Sequence, residues 1–335
     1  MEHYFVSELY PQARHTAGVL REDIETVLRE WGFAALDTPP ASTSWFGRIM
    51  DYSRARRMLG NELLIPACVF FHFPVRSRMN RYLFAQLKKR GIKTIAYIHD
   101  FEGMRDQDQE LLQKELSQLK QFDIIIAQNR VMKEMVEKET GNKNVIELEM
   151  YDYLEVPEPS IHPTMQGDII FAGNLEKAPF ITQLETLAPL RFTVFGEPVP
   201  RTTATNILYK GSEDPRILPS VIAGIGSFGL VWDGSSIQTG KGAGDYLRVN
   251  MPHKLSLYIM AGLPPIVWKE SAMAEWVQQQ QIGIVVSSLY ELKEQLEIVT
   301  ENDYRKFQDN MKGIRQKMAG GYYLQAAIRS AEQLV

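Results

Sequence analysis

Two cations stand side by side where a helix is expected to begin. The run Tyr246 to Val267 reads as loop, helix, turn and strand. Asn250 is a natural helix cap and Pro252 suits a first turn, so His253 and Lys254 fall within that turn. The helix dipole disfavours cations there, unless an anion lies over the free N–H groups and needs neutralising. A diphosphate has that chemistry. Upstream, Gly240, Gly242 and Gly244 allow close backbone approach to a ligand, although the spacing is not that of a P-loop. Gly173 and Asn174 follow an apolar strand, and Lys177 is expected to point into the same cleft as Lys254.

The first half offers groups that could take a proton. The stretch Arg14, His15, Thr16, Ala17, Gly18 follows the first apolar run and is expected to open toward the cleft as a small-residue turn. His99 and Asp100 end the apolar strand 94–98, and His72 ends another. Asp100 is the best candidate for a general base, since a carboxylate at the end of a buried strand is partly withdrawn from water. His99, its neighbour in an extended segment, is expected to face the other side of the sheet. Asp106 and Asp108 imitate a metal-binding Asp-x-Asp, but they open a very polar helix, where carboxylates complement the dipole. No Cys, His and carboxylate cluster has zinc spacing, so metal-independent chemistry is expected.

The elements that must position these residues alternate in βα fashion. Strands are expected at 4–6, 33–36, 69–73, 94–98, 124–127 and 145–148, then at 169–172, 192–195, 207–209, 229–232, 265–267 and 284–286. Helices are expected at 16–31, 77–90, 109–121, 131–139, 179–187, 215–222, 253–261, 272–279, 289–299, 303–318 and 322–334. Between the halves, Pro157, Pro159 and Pro163 rule out a continuous helix or a central strand. The fold class is therefore α/β, with two Rossmann-like domains facing across a cleft. Their expected bounds are 1–152 and 166–318, with a helical tail at 319–335 that serves oligomerisation or packs back on the N-terminal domain.

The length of 335 residues suits two domains, and a formal net charge of −4 gives no global attraction to nucleic acid. Basic residues such as Arg54, Arg56, Arg57, Arg76, Arg78 and Arg81 cluster in the first half, as on a solvated helix face. The one cysteine, Cys68, sits in an apolar run and reads as a buried small hydrophobe in a chain suited to a reducing cytoplasm. The N-terminus lacks the pattern of a signal peptide, and no apolar run approaches the ~20 residues of a membrane span.

The pattern Gly244, Tyr246, Asn250, Pro252, His253, Lys254, Ser256, Tyr258, then Ala261, Gly262, Pro264, resembles a bacterial glycosyltransferase family. That family includes glucosyltransferase 3 enzymes, which extend O-linked GlcNAc on serine-rich-repeat adhesins, and β-1,6-galactofuranosyltransferases. The segments Phe171 to Leu175 and Ile98 to Asp100 are similar too, so the resemblance spans nearly the whole chain. It implies a GT-B fold, a UDP-sugar donor held by the C-terminal domain, a GlcNAc-bearing glycoprotein acceptor on the N-terminal domain, and a homo-oligomer, dimer or tetramer. The donor-binding positions it implies are Thr16, Gly18, Asn174, Lys177, Tyr209, Gly211, Asn250, Pro252, His253, Lys254 and Leu255. Asp100 and Lys254 are the expected catalytic pair. Many retaining GT-B enzymes carry two glutamates eight positions apart where this chain has Asn250 and Tyr258, so a retaining mechanism of that kind is not supported. Competing readings are galactofuranosyl transfer to a glycan, a nucleotide-sugar epimerase on the same scaffold, and a non-catalytic glycan-binding partner.

Overall fold

A computed structural model describes residues 2–8, 16–38, 50, 53, 55–58, 67–154, 162–238 and 242–335. Arg14 and His15, Gly240 and Lys241, and the proline-rich residues 155–161 lie outside them.

Two six-stranded parallel sheets organise the chain. The first holds β1 (Glu2–Glu8), β2 (Ala34–Thr38), β3 (Ala67–Phe73), β4 (Lys93–Ile98), β5 (Ile124–Ala127) and β6 (Val145–Glu147), in spatial order β2-β1-β3-β4-β5-β6. The second holds β7 (Asp168–Ala172), β8 (Phe192–Phe195), β9 (Ile207–Tyr209), β10 (Gly226–Val231), β11 (Pro265–Trp268) and β12 (Ile284–Val286), in order β12-β11-β10-β7-β8-β9. Strand order reverses between β1 and β3 in the first sheet and between β7 and β10 in the second. At such points the carboxyl ends of adjacent strands open a crevice for ligands.

Burial on both faces explains the near-continuous apolar strands. Phe71, Phe73, Phe84 and Phe122 fill one face of the first sheet, and Phe171, Phe180, Trp232 and Trp268 one face of the second. A third cluster joins the domains through Leu148, Met150, Tyr151 and Tyr153, and continues into Leu255, Tyr258, Tyr323 and Ile328.

The final helix, Tyr322–Glu332, packs on the N-terminal domain. Asp152 accepts hydrogen bonds from the N–H groups of Tyr323 (3.1 Å) and Leu324 (2.8 Å), and Trp31 Nε1 donates to Glu332 (3.0 Å). Burial lifts the Asp152 carboxyl to about 7. Across the domains, Arg216 reaches buried Asp23 (2.6 Å) and the carbonyl of Leu154 (3.0 Å).

Two local expectations change. Residues Pro179–Leu187 form a 3-10 helix, in which the Thr182 and Thr186 hydroxyls donate to the carbonyls three residues back. Asn250 does not cap the helix His253–Ala261; Pro252 occupies the cap position and contributes no side-chain hydrogen bond. Proline fixes the extended entry of the chain and shortens the helix by two residues relative to a start after Asn250.

Candidate functional site

The helix His253–Ala261 runs beneath the β7/β10 switch point. Its far end closes at Gly262, whose φ of 74° belongs to a left-handed cap. Tyr258 is the wedge that holds the strands at the crevice. Its buried hydroxyl accepts from Ala172 N–H (2.9 Å) and donates to the Leu230 carbonyl (3.2 Å), satisfying backbone groups that diverging strands leave unpaired. Gly229 makes room for the wedge, because a Cβ there would lie 2.1 Å from Tyr258 Cγ. The position that carries a glutamate in many retaining enzymes is thus a structural tyrosine here.

Lys254 reaches the carboxyl end of the same strands. Nζ donates to the Trp232 carbonyl (2.9 Å) and to Asp233 Oδ1 (2.6 Å), and lies 4.9 Å from the centroid of the Phe171 ring. Its side chain is only 10% exposed. Gly173 keeps the approach open: a Cβ there would touch Lys254 Cε at 3.5 Å. Gly196, at φ +131°, is packed so tightly that a Cβ would collide with the Gly173 carbonyl oxygen.

His253 departs from expectation. Its ring stacks on Tyr153 (centroids 5.1 Å apart) and lies beside Tyr151, with both nitrogens buried and unpartnered. Burial, reinforced by Arg216, depresses its pKa to about 4. It is a neutral ring at pH 7, and the helix start carries one cation, Lys254, rather than two. The Leu255 side chain is fully buried in the core, and its N–H is bonded to the Pro252 carbonyl at 2.9 Å. Asn250 Oδ1 is buried with no partner.

The other positions expected to bind the donor have these surroundings. Asn174 caps a short 3-10 turn through a bond from Glu176 N–H (2.9 Å). Lys177 is exposed, and its charge helps hold the Asp106 carboxyl below its ordinary range, after the larger effect of Arg105. Its charge is therefore felt in the N-terminal domain. Tyr209 donates to the Gly196 carbonyl (3.0 Å), and Gly211, at φ 80°, accepts from Gly196 N–H (2.8 Å). In the N-terminal domain, Thr16 opens the helix Thr16–Glu30, and Gly18 lies within its first turn rather than in a preceding loop.

In the N-terminal domain, Asp100 is half-buried at the end of β4 and ion-paired with Arg105. The buried Tyr246 hydroxyl accepts from Phe101 N–H (2.8 Å) and bonds to Asp100; burial, then Asp100, keeps this phenol protonated. Asp108 caps the helix Gln109–Leu119 through Leu111 N–H (3.0 Å), and Asp106 pairs with Arg105. Both acidic groups thus have structural partners. Gln128 stitches the two halves of the cleft together: Nε2 donates to the His99 carbonyl (2.8 Å), and Oε1 accepts from Met251 N–H (2.7 Å). Asn129 Nδ2 donates to the Val249 carbonyl (2.9 Å).

The fold and site define a two-Rossmann-domain glycosyltransferase of the GT-B architecture. Solved structures share the fold at low sequence identity. The Anabaena protein HepE in complex with UDP gives a TM-score of 0.64 at 9% identity, covering 99% of this chain and 100% of that one. The E. coli structure described as trehalose-6-phosphate bound with UDP-2-fluoro glucose gives 0.64 at 12%, covering 100% of both. The chain belongs to the glucosyltransferase 3-like family, whose N-terminal domain matches residues 3–150 and whose C-terminal domain matches residues 169–331. Among its relatives, the β-1,6-galactofuranosyltransferase WbbI of Escherichia coli (strain K12) is 31% identical over 261 residues, 76% of each chain. Glucosyltransferase 3 of Streptococcus gordonii is 24% identical over 330 residues, 95% of each chain.

Sequence reasoning missed Asp233 and Gln128, and named Tyr246 only as part of the family pattern. Asp233 ends a strand as Asp100 does, and that parallel was the available signal. Nothing in the spacing of Tyr246 or Gln128 tells that they meet the opposite domain.

Proposed function

We propose that this glycosyltransferase moves glucose or GlcNAc from a UDP-sugar to a GlcNAc-bearing glycoprotein, without a metal. The observation that carries the donor half is Lys254, a nearly buried cation at a helix start and a switch point, beside the glycine-lined end of β7. A diphosphate there takes a charge-assisted bond from Lys254, and the helix start favours its charge. In the reaction, the acceptor hydroxyl gives its proton to Asp100 and its oxygen bonds to the anomeric carbon. The bond from that carbon to the diphosphate breaks, and UDP leaves with the electron pair. Lys254 and Lys177 stabilise the charge that develops on the leaving group. Asp100 serves an inverting displacement, with Tyr246 and Arg105 fixing its orientation.

Incubation of the protein with UDP-glucose or UDP-GlcNAc and a GlcNAc-peptide, followed by mass spectrometry, tests this reading. The expected product carries one added sugar. A donor altered without acceptor would indicate epimerisation, and no product with any donor would favour a non-catalytic glycan-binding partner. The 31% identity to WbbI motivates a second reading, galactofuranosyl transfer to a cell-surface glycan, which the same assay with UDP-galactofuranose separates.

Homo-oligomer formation and a cytoplasmic location belong to the same proposal. No described helix is long and apolar enough to cross a membrane. The buried face of the last helix is taken by its own chain, so removal of residues from Gly320 onward is expected to lower stability. Light scattering on the intact protein reads the assembly.

A further inference from the structure

A chain of polar groups runs from β1 to His99 at the end of β4. Ser7, on β1, donates to Glu25 Oε2 (2.9 Å), and Arg29 donates to the same oxygen (3.1 Å). Glu25 Oε1 lies 3.7 Å from His72 Nε2, an electrostatic contact beyond hydrogen-bond length. That nitrogen is buried and has no other partner. His72 Nδ1 lies 2.7 Å from His99 Nε2. His99, half-buried at the end of β4, is tied through its carbonyl and Gln128 to Met251 of the donor-domain loop.

The proton order along this chain follows from what each group can do. Glu25, bound by a guanidinium and a hydroxyl, is an acceptor only. A ring lone pair aimed at that carboxylate would be repelled, so the hydrogen of His72 sits on Nε2. His72 Nδ1 is then an acceptor, and His99 Nε2–H must donate to it. The hydrogen of His99 is thereby committed, which leaves Nδ1 as a lone pair. Burial, helped by Arg21 for His72 and by His72, Arg21 and Arg76 for His99, holds both rings well below the usual histidine range. Both are therefore neutral at pH 7, with one hydrogen each.

We propose that His99 Nδ1 is a fixed hydrogen-bond acceptor for a sugar hydroxyl in the cleft, with His72 and Glu25 as positioning residues that set its tautomer from behind. The inference rests on sugar transfer in this cleft, but not on Asp100 or on the acceptor's identity. The hydroxyl can belong to the donor hexose or to the acceptor glycan.

Long-range proton–nitrogen correlation spectra of the histidine-labelled full-length protein at pH 7 test the chain directly, without a variant. The expected result is an Nε2–H tautomer for both His72 and His99. An Nδ1–H form of His99, or an imidazolium on either ring, overturns the proposal. In Glu25→Gln, Ser7 and Arg29 retain the amide oxygen and turn the NH₂ toward His72. Both tautomers then reverse, and kcat/KM falls about tenfold, while UDP affinity stays within about twofold. Lower activity with unchanged tautomers would reduce Glu25 to a structural part and contradict the relay. If Glu25→Gln does not fold, His72→Phe removes the acceptor for His99 and carries the same kinetic expectation. A rise confined to the acceptor KM, with donor hydrolysis intact, assigns the hydroxyl to the acceptor. A parallel loss in donor hydrolysis assigns it to the donor hexose. No change in either overturns the proposal. Loss of product with every donor in the wild-type protein would instead sink the functional reading and leave the tautomers untouched.

Discussion

The two switch points share a topology and differ in electrostatics. Between β7 and β10 a nearly buried cation, Lys254, is paired with Asp233 and backed by the Phe171 ring. Beside the β1/β3 switch point, His72 on β3 and His99 at the end of β4 are two neutral imidazoles, 2.7 Å apart, with the Glu25 carboxylate behind them. The first suits an anion, since Lys254 already holds a carboxylate there. The second presents neutral ring nitrogens, which suit hydroxyls. One strand order thus carries two kinds of chemistry through the residues placed at its carboxyl ends, as expected when function resides in sites grafted on folds.

The largest expected effect breaks the N-terminal half of this comparison. Asp100→Asn should cut turnover by roughly a hundred- to ten-thousand-fold, the usual range for general-base catalysis. Rapid-quench turnover measurements check it. A loss of only a few-fold would remove Asp100 as the base and turn attention to His15, which lies outside the described residues.

Tyr258→Phe breaks the C-terminal half without touching the other. It leaves the Ala172 N–H and the Leu230 carbonyl buried without the hydroxyl, at a cost of about 1–3 kcal/mol. Urea unfolding should show that loss, while the histidine resonances of His72 and His99 stay in place. Unchanged stability would mean that the wedge is not what holds β7 and β10.

A smaller effect concerns the helix that packs on the N-terminal domain. The folded-state pKa of Asp152, about 7, lies above the ordinary carboxyl value of 3.8, so the folded protein binds this proton more tightly than the unfolded chain. Its contribution to stability is fully present below about pH 4 and is lost as pH rises through 7. The stability of wild type minus that of Asp152→Asn should therefore grow by up to about 1.4 kcal/mol per unit as pH falls from 7 toward 5. A flat or opposite difference would contradict the assigned shift. The smallest expected effect is none: exhaustive EDTA treatment should leave transfer activity unchanged. Loss on chelation, restored by manganese or magnesium, would return Asp106 and Asp108 to consideration as ligands.

The strands were legible because their apolar runs are short, regular and bounded by turn residues. Each of the twelve expected strands has a counterpart in the two sheets. Lys254 and Asp100 were legible as polar residues at element ends. What escaped the sequence was partnership. Nothing local announces that Asn250 lies ahead of the helix cap, that His253 is stacked between domains, or that Leu255 belongs to the core. Nor does any spacing show that Glu25 on one helix faces His72 on β3, because that meeting depends on strand order. The pairing of Lys254 with Asp233 is hidden for the same reason.

The central claim is that the diphosphate of the donor sits at Lys254. Isothermal titration of UDP into wild type, Lys254→Ala and Asp100→Asn tests it most directly, with circular dichroism confirming that each variant is folded. The account predicts that Lys254→Ala loses roughly 1.5–3 kcal/mol of UDP affinity, the worth of a charge-assisted hydrogen bond, and that Asp100→Asn binds like wild type. Wild-type UDP affinity in Lys254→Ala would contradict it.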